Sequence, residues 1–309
     1  MKNIKIIANA SYLPKNKIKN AELAEKLCVT EEFILQRTGI KSRYIACEET
    51  LEEMAICAAK RVLEKARWNK EEIGMIVVAT TSTKSLMPSI AFKIQKALDI
   101  QNCNCMDILA GCAGYITALE VARNAIAVGK TNAALVIGAD KLSNYINKED
   151  LGTAVVLSDG AGATLIVATK EAKKFESHIQ ADGADGDMLT CYTDKTIQMN
   201  GTKVYRYAVT QTVQNIKELL KIAGVSKEEI DYIVPHQSNR KIMDAMAQRL
   251  HISKEKMFMN IEEVGNTFCA SIPIALSDME EKKALQENQK IILLGYGGGL
   301  NTASILLEL

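Results

Sequence analysis

Apolar runs and apolar periodicity divide the chain into alternating elements. Strand-like stretches at 5–10, 73–81, 106–109, 134–139 and 164–168 are separated by segments in which apolar residues recur at helical spacing. The clearest is 51–67, where Leu51, Met54, Ala55, Ala58, Val62 and Ala66 share one face. The 73–81 run is nearly continuous in apolar side chains, the pattern of a strand covered on both faces. Two short helices are expected over 20–28 and 30–38, the second opened by Thr30 as N-cap ahead of Glu32 and Phe33. Pro88 stands where a further helix begins, continuing through 91–98, and a longer one is expected over 115–128. Strands alternating with helices define an α/β fold.

The second half repeats the first. Lys70-Glu71-Glu72-Ile73-Gly74-Met75-Ile76-Val77 returns as Lys227-Glu228-Glu229-Ile230-Asp231-Tyr232-Ile233-Val234. Each copy follows an amphipathic helix (51–67 and 207–223) and precedes another (88–98 and 239–250). Strand 134–139 has its counterpart at 291–294, and 164–168 at 303–307. This is the trace of a tandem duplication, with two similar halves, 1–170 and 171–309, packed face to face. In such a fold the loops at equivalent strand ends meet near the pseudo-twofold axis, and ligands sit beyond the carboxyl ends of strands.

Candidate chemistry gathers at those ends. In Asp107-Ile108-Leu109-Ala110-Gly111-Cys112-Ala113-Gly114-Tyr115 an apolar strand runs through small residues straight into a helix. Such an elbow lifts one side chain to the positive end of a helix, where amide N–H groups stabilise a thiolate. Cys112 is therefore placed like a nucleophile, although a free cysteine on composition alone is more often a small core side chain. His236, in Pro235-His236-Gln237, lies beyond the carboxyl end of a strand in the second half. Asn266, in Gly265-Asn266-Thr267, precedes the helix that matches the one behind Cys112. Taken singly, His236 reads as a structural residue and Asn266 as a turn residue; the repeat brings Cys, His and Asn to one place.

Composition narrows the partners. A net charge of +1 gives no global field for nucleic acid, and no apolar run approaches the roughly 18 residues needed to span a bilayer. Residues 1–6 become strand-like at once, without the apolar core of a signal segment, so a cytoplasmic address is expected. The eight cysteines are expected to stay reduced, and with three histidines and no second ligand pair beside Cys103 and Cys105 no metal site is expected. Ser158-Asp159-Gly160-Ala161-Gly162-Ala163 lacks the Lys-Ser or Lys-Thr of a phosphate loop and reads as a tight turn. Lys41 and Arg43 extend the basic end of the 30–38 helix, as either a solvated turn or a phosphate contact.

At these residues the chain resembles the β-ketoacyl-acyl-carrier-protein synthase III family of the thiolase superfamily, from end to end. The matching stretches are Arg37-Thr38-Gly39-Ile40, Ala79-Thr80-Thr81-Ser82, Gly111-Cys112-Ala113-Gly114, Asp159-Gly160-Ala161-Gly162-Ala163, Val234-Pro235-His236-Gln237, Gly265-Asn266-Thr267 and Gly297-Gly298-Gly299. The resemblance implies a duplicated thiolase-like fold layered αβαβα and a cytoplasmic homodimer that needs no cofactor, coenzyme A entering only as the thioester substrate. Cys112 would take the acyl group from acyl-CoA, with backbone N–H groups of Cys112 and Gly298 as oxyanion hole. His236 and Asn266 would stabilise the enolate formed when malonyl-acyl carrier protein loses carbon dioxide, giving a 3-ketoacyl-carrier protein. Other readings within the fold are a specialised synthase with a different acyl donor and a non-catalytic partner subunit.

Some positions depart from the family pattern. Phe33 and Leu151 stand where the family commonly has Trp and Arg around the adenine of coenzyme A; the lost guanidinium stacking is worth about 0.5–2 kcal/mol. Arg37 still matches a phosphate-contacting position. Met87 replaces the usual Phe that crosses the dimer interface to close the acyl pocket, and Lys84 nearby is a candidate partner for a carboxylate-bearing chain. Arg206, Lys241 and Arg249, with Lys254 and Lys256 beyond, are the candidate patch for the acidic carrier protein. Cys269 falls inside the helix after Asn266 and reads as core.

Overall fold

The computed structural model describes residues 2–192 and 195–309. Strands β1 (Asn3–Tyr12), β2 (Met75–Ala79), β3 (Asn104–Ile108), β4 (Ala133–Asp140) and β5 (Gly160–Thr169) form one sheet in the order β1-β5-β4-β2-β3. Strands β6 (Phe175–Ala181), β7 (Tyr232–Pro235), β8 (Lys290–Gly297) and β9 (Asn301–Glu308) form the second, in the order β6-β9-β8-β7. The orders match strand for strand: β2 and β4 are parallel, as are β7 and β8, while β4–β5 and β8–β9 are antiparallel. Each parallel strand of the repeat is entered from a single 3-10 turn, Lys70–Glu72 or Lys227–Glu229. Where the first sheet has β3, the second half has only a one-residue bridge between Ile233 and Met257.

The helices sort into three layers. In the first half these are α1 (Asn20–Lys26), α2 (Glu31–Thr38), α3 (Leu51–Ala66), α4 (Ile90–Leu98) and α5 (Gly114–Ala127); in the second, α6 (Gly201–Ala223), α7 (Arg240–Leu250) and α8 (Ser271–Glu281). Helices α3 and α4 cover the outer face of the first sheet, Met54, Ala58, Val62, Ile90 and Ile94 packing on Ile76, Val78, Leu135 and Leu165. Helices α5 and α8 lie between the sheets, where Ile116, Leu119, Ile272 and Leu276 meet Val77, Val136, Leu293 and Ile305. Helices α6 and α7 close the other side, placing Val209, Ile216, Met243 and Met246 on Ile292, Leu294 and Leu306. The result is the five-layer αβαβα arrangement. Val77 and Val78 point to opposite layers, which is why the 73–81 run carries no polar face. Each such side chain taken fully out of water contributes about 1.5–3 kcal/mol.

Local signals set the boundaries. Thr50 and Glu53 form a reciprocal capping box that opens α3, and Thr30 accepts the N–H of Phe33 to open α2. Pro88 does not start α4. The helix begins at Ile90, and its free N–H groups at Ile90 and Ala91 donate to the Asp107 carboxylate at 2.8 and 2.9 Å. A carboxylate from the neighbouring strand thus replaces the local cap. No helix among the described residues is long and apolar enough to cross a membrane.

Candidate active site

Cys112 lies where β3 turns into α5, in a 3-10 turn over Gly111–Ala113. Gly111 adopts φ +52°, and a methyl group there would lie 2.3 Å from the Gly298 carbonyl oxygen, so both the turn and the approach of the second half require glycine. Gly297 is pressed against the nucleophile position equally closely: a methyl group on it would come within 2.8 Å of Cys112 Sγ. The backbone N–H groups of Gly298 and Cys112 lie near Sγ and favour its charged form. Cys112 is 3 % exposed and opens onto a cavity of about 160 Å3 lined by Leu142, Leu189, Ile197 and Phe268 among others.

The electrostatics differ from those expected of a helix-end thiolate. Burial pushes the Cys112 thiol well above the ordinary cysteine range, the nearby Asp140 charge adds to this, and the two backbone donors only partly oppose it. Cys112 is a neutral thiol in the free protein. Asp140 ends β4 fully buried, with Oδ1 accepting from Thr81 N–H at 2.8 Å and Ser82 Oγ at 2.8 Å, and Oδ2 from Cys269 N–H at 2.9 Å. It ties the loop after β2 to the turn before α8, both of which border the cavity, and no feature of the sequence singled it out.

His236 and Asn266 come from the second half. His236 follows β7 and is 2 % exposed; its Nδ1 lies 2.7 Å from Ser271 Oγ, in the first turn of α8. Ser271 Oγ also accepts the Gln237 N–H at 3.4 Å; with the serine proton given to Nδ1, the imidazole carries its proton on Nε2, free to donate. Burial lowers the His236 pKa to about 3, so the ring is a neutral donor. Asn266 is fixed through its backbone, donating to Val156 O at 3.0 Å and accepting from Ser158 N–H at 2.8 Å. Its Oδ1 accepts the Phe268 N–H at 3.1 Å, and Nδ2 makes no hydrogen bond among the described residues. Phe268 links the three positions. Its backbone, at φ +47°, orients Asn266; its ring lies 6.5 Å from His236 and lines the Cys112 cavity.

The His236 environment has a stability signature. The unfolded chain takes up a proton near pH 6.5 and the folded one does not until about pH 3, so the folded state loses stability as the pH falls through that window. Urea unfolding of the wild type and His236→Gln is expected to show their stability difference shrinking by about 2 kcal/mol between pH 7 and 5. A difference independent of pH would contradict a buried neutral imidazole.

The remaining expected contacts scatter. Arg37 is exposed, with its guanidinium 5.9 Å from the Phe33 ring centroid. Leu151 instead packs against Ala24, Ile34 and Val155. Arg43 is no phosphate contact: it is 1 % exposed, bonded to Asn20 Oδ1 at 2.8 Å and Val155 O at 2.7 Å, and burial lowers its pKa to about 10. Met87, at 88 % exposure, does not reach the cavity of its own chain, and Lys84 is exposed and does not line it. Arg206, Lys241 and Arg249 are exposed and unpaired with carboxylates among the described residues; Lys254 lies 3.4 Å from Asp244, and Lys256 donates to the Glu228 and Ile230 carbonyls. Cys269 lies in the 3-10 turn before α8 rather than in the helix, is 1 % exposed, and donates to Gly111 O at 3.1 Å.

A buried thiol near two backbone N–H groups, with a neutral imidazole and a carboxamide that share Phe268 as a neighbour, is chemically suited to covalent acyl transfer. The chain is a condensing acyltransferase with the thiolase-like fold. A family model described as "3-Oxoacyl-[acyl-carrier-protein (ACP)] synthase III" matches residues 106–183, and one for the C-terminal part of the same synthases matches 220–309. The β-ketoacyl-acyl-carrier-protein synthase III of Clostridium novyi (strain NT) is 37% identical over 322 residues, covering 100% of this chain and 99% of that one. The crystal structure of the 3-oxoacyl-acyl-carrier-protein synthase III of Aquifex aeolicus superposes with a TM-score of 0.97 at 38% identity, over 99% of this chain and 100% of that one. That of Thermus thermophilus gives 0.94 at 31% identity, over 98% of each chain. The chain belongs to the β-ketoacyl-acyl-carrier-protein synthase III family.

Proposed function

We propose that the chain initiates fatty-acid synthesis by decarboxylative condensation of an acyl-CoA primer with malonyl-acyl carrier protein. The observation that carries this is the Cys112 Sγ opening onto a cavity beneath the N–H groups of Cys112 and Gly298, with His236 and Asn266 linked to it through Phe268. Sγ attacks the thioester carbonyl, the carbonyl oxygen draws on the two backbone donors, and the C–S bond to coenzyme A breaks. The thiol proton is given up as Sγ attacks and is taken up by the departing coenzyme A sulfur, so the step balances. In the second half-reaction, Nε2–H of His236 and Nδ2–H of Asn266 donate to the carbonyl oxygen of the malonyl thioester. As carbon dioxide departs, charge builds on that oxygen; neutral donors stabilise this developing enolate more than the ground state. The enolate carbon then attacks the acyl-Cys112 carbonyl, and Sγ leaves as a thiolate and takes a proton from solvent. The thioesters themselves bring the activation, so no cofactor is required.

Surface features support the partners. Leu86, Met87, Phe92 and Leu109 are 89, 88, 50 and 72 % exposed, and β3 is a sheet edge. Apolar side chains beside a free strand edge fit a second copy of the chain, which would carry Met87 toward the partner's acyl cavity. Exposed Arg206, Lys241 and Arg249 suit an acidic carrier protein, and Arg37 with Phe33 suits the phosphates and adenine of coenzyme A. The reaction is assigned to the cytoplasm, where these thioesters are found. The test is a condensation assay with acetyl-CoA and malonyl-acyl carrier protein, reading carbon dioxide and 3-ketoacyl product. Release of one carbon dioxide per product is expected. Product without carbon dioxide would mean simple acyl transfer, and neither would mean a non-catalytic partner subunit.

A further inference from the structure

The cavity in front of Cys112 is small and only partly apolar. Its volume, about 160 Å3, is close to that of an engineered cavity that holds one benzene, room for a primer of a few carbons and no long chain. Besides the apolar Leu142, Leu189, Ile197 and Phe268, its wall includes Thr81 and Tyr145. Tyr145 is 6 % exposed, yet its hydroxyl makes a single hydrogen bond among the described residues, to Ser82 O at 3.5 Å, the outer limit of such a bond. A buried phenol so poorly partnered is destabilising, and an apolar side chain would fill the wall without that cost. The adjacent Thr81 hydroxyl donates to Asp140 at 3.0 Å and so has lone pairs left to accept. One donor and one acceptor therefore belong to the wall of a short pocket. Asp140 behind them also sets the sign of what they meet: a chain ending in a carboxylate is repelled, and a neutral oxygen is not.

We infer that the cavity selects a short primer carrying its own neutral oxygen, a 3-hydroxyacyl or 3-oxoacyl group of about four carbons, with Tyr145 hydrogen-bonding that oxygen. The proposal rests on the acyl-enzyme reading above. The covalent step is unchanged: Sγ bonds to the thioester carbonyl carbon, the bond to the coenzyme A sulfur breaks, and the thiol proton leaves with that sulfur. The primer's second oxygen takes no part and serves recognition alone. A site built to hydrogen-bond a substrate oxygen rejects the analogue that lacks it, because its own buried group is then left unpaired.

Acylation rates read by intact-protein mass spectrometry with acetyl-, butyryl-, 3-hydroxybutyryl- and acetoacetyl-CoA test this on the wild type and Tyr145→Phe. The wild type is expected to react with the better of the two oxygenated four-carbon thioesters about tenfold faster than with butyryl-CoA, and Tyr145→Phe to lose that ratio. Butyryl-CoA equal to or faster than both in the wild type overturns the proposal, whatever the variant does. A ratio that survives in Tyr145→Phe overturns it as well. Adducts from acetyl- or butyryl-CoA alone overturn the pocket proposal and leave the acyl-enzyme reading standing, whereas no adduct from any of the four overturns both.

Discussion

The Cys112→Ala variant is expected to fold and to lose condensing activity by at least ~10^4-fold, because no other described group can hold the acyl chain between the half-reactions. Cys191 also lines the cavity, and Cys269 lies buried beneath the same turn, so the variant asks whether a neighbouring thiol can substitute. Neither is set up to do so. Burial pushes both thiols up, as it does Cys112, but backbone donors from Gly298 and the Cys112 turn face Sγ of Cys112 alone. Loss of the nucleophile leaves the fold intact, since alanine fits the same turn and Sγ makes no cross-link. Steady-state turnover of acetyl-CoA with malonyl-acyl carrier protein measures the loss. Residual activity above a hundredth of the wild type would assign the nucleophile elsewhere.

The second large effect separates the halves of the reaction. His236→Ala and Asn266→Ala are each expected to slow decarboxylative condensation by about 10^2–10^3-fold, the usual cost of removing one donor from a developing oxyanion. Acylation of Cys112 by acyl-CoA is expected to persist in both, because the oxyanion hole proposed for that step consists of backbone N–H groups that neither substitution removes. The double variant is expected to lose less than the product of the single losses, as groups acting on one oxygen do. Single-turnover acylation and malonyl-dependent carbon dioxide release, measured on the same preparations, resolve the two steps. Equal loss in both steps would mean that His236 or Asn266 serves the nucleophile rather than the enolate.

What the sequence disclosed follows from how local each signal is. The elbow around Cys112 is legible because a strand, a run of small residues and a helix adjoin in ten positions, and duplication then ranks His236 and Asn266 above ordinary strand-end and turn residues. Thr30 and the 51–67 periodicity are equally local, and both elements form as expected. Groups whose role depends on tertiary burial are silent. Asp140 reads as the polar end of a strand, Ser271 as a helix opener, and Arg43 as part of a basic surface run; each is buried by elements distant in sequence. Strand β6 carries only a weak alternation, Phe175, Ile179 and Ala181 with Ser177 interrupting their face, because it is an edge strand and largely exposed or half-exposed along its length. The thiolate expected at Cys112 failed for a related reason. Helix-end amides are visible in the sequence, but the depth of burial and the Asp140 charge that outweigh them are not.

The central claim is that Cys112 carries the acyl group between two chemically separate steps. The most direct measurement is intact-protein mass spectrometry of wild type, Cys112→Ala and His236→Ala after incubation with acyl-CoA, before and after addition of malonyl-acyl carrier protein. The account predicts one acyl adduct per chain in wild type and His236→Ala and none in Cys112→Ala, with malonyl-acyl carrier protein discharging the adduct rapidly only from the wild type. An adduct that persists in Cys112→Ala, or one that malonyl-acyl carrier protein discharges equally fast without His236, would contradict it.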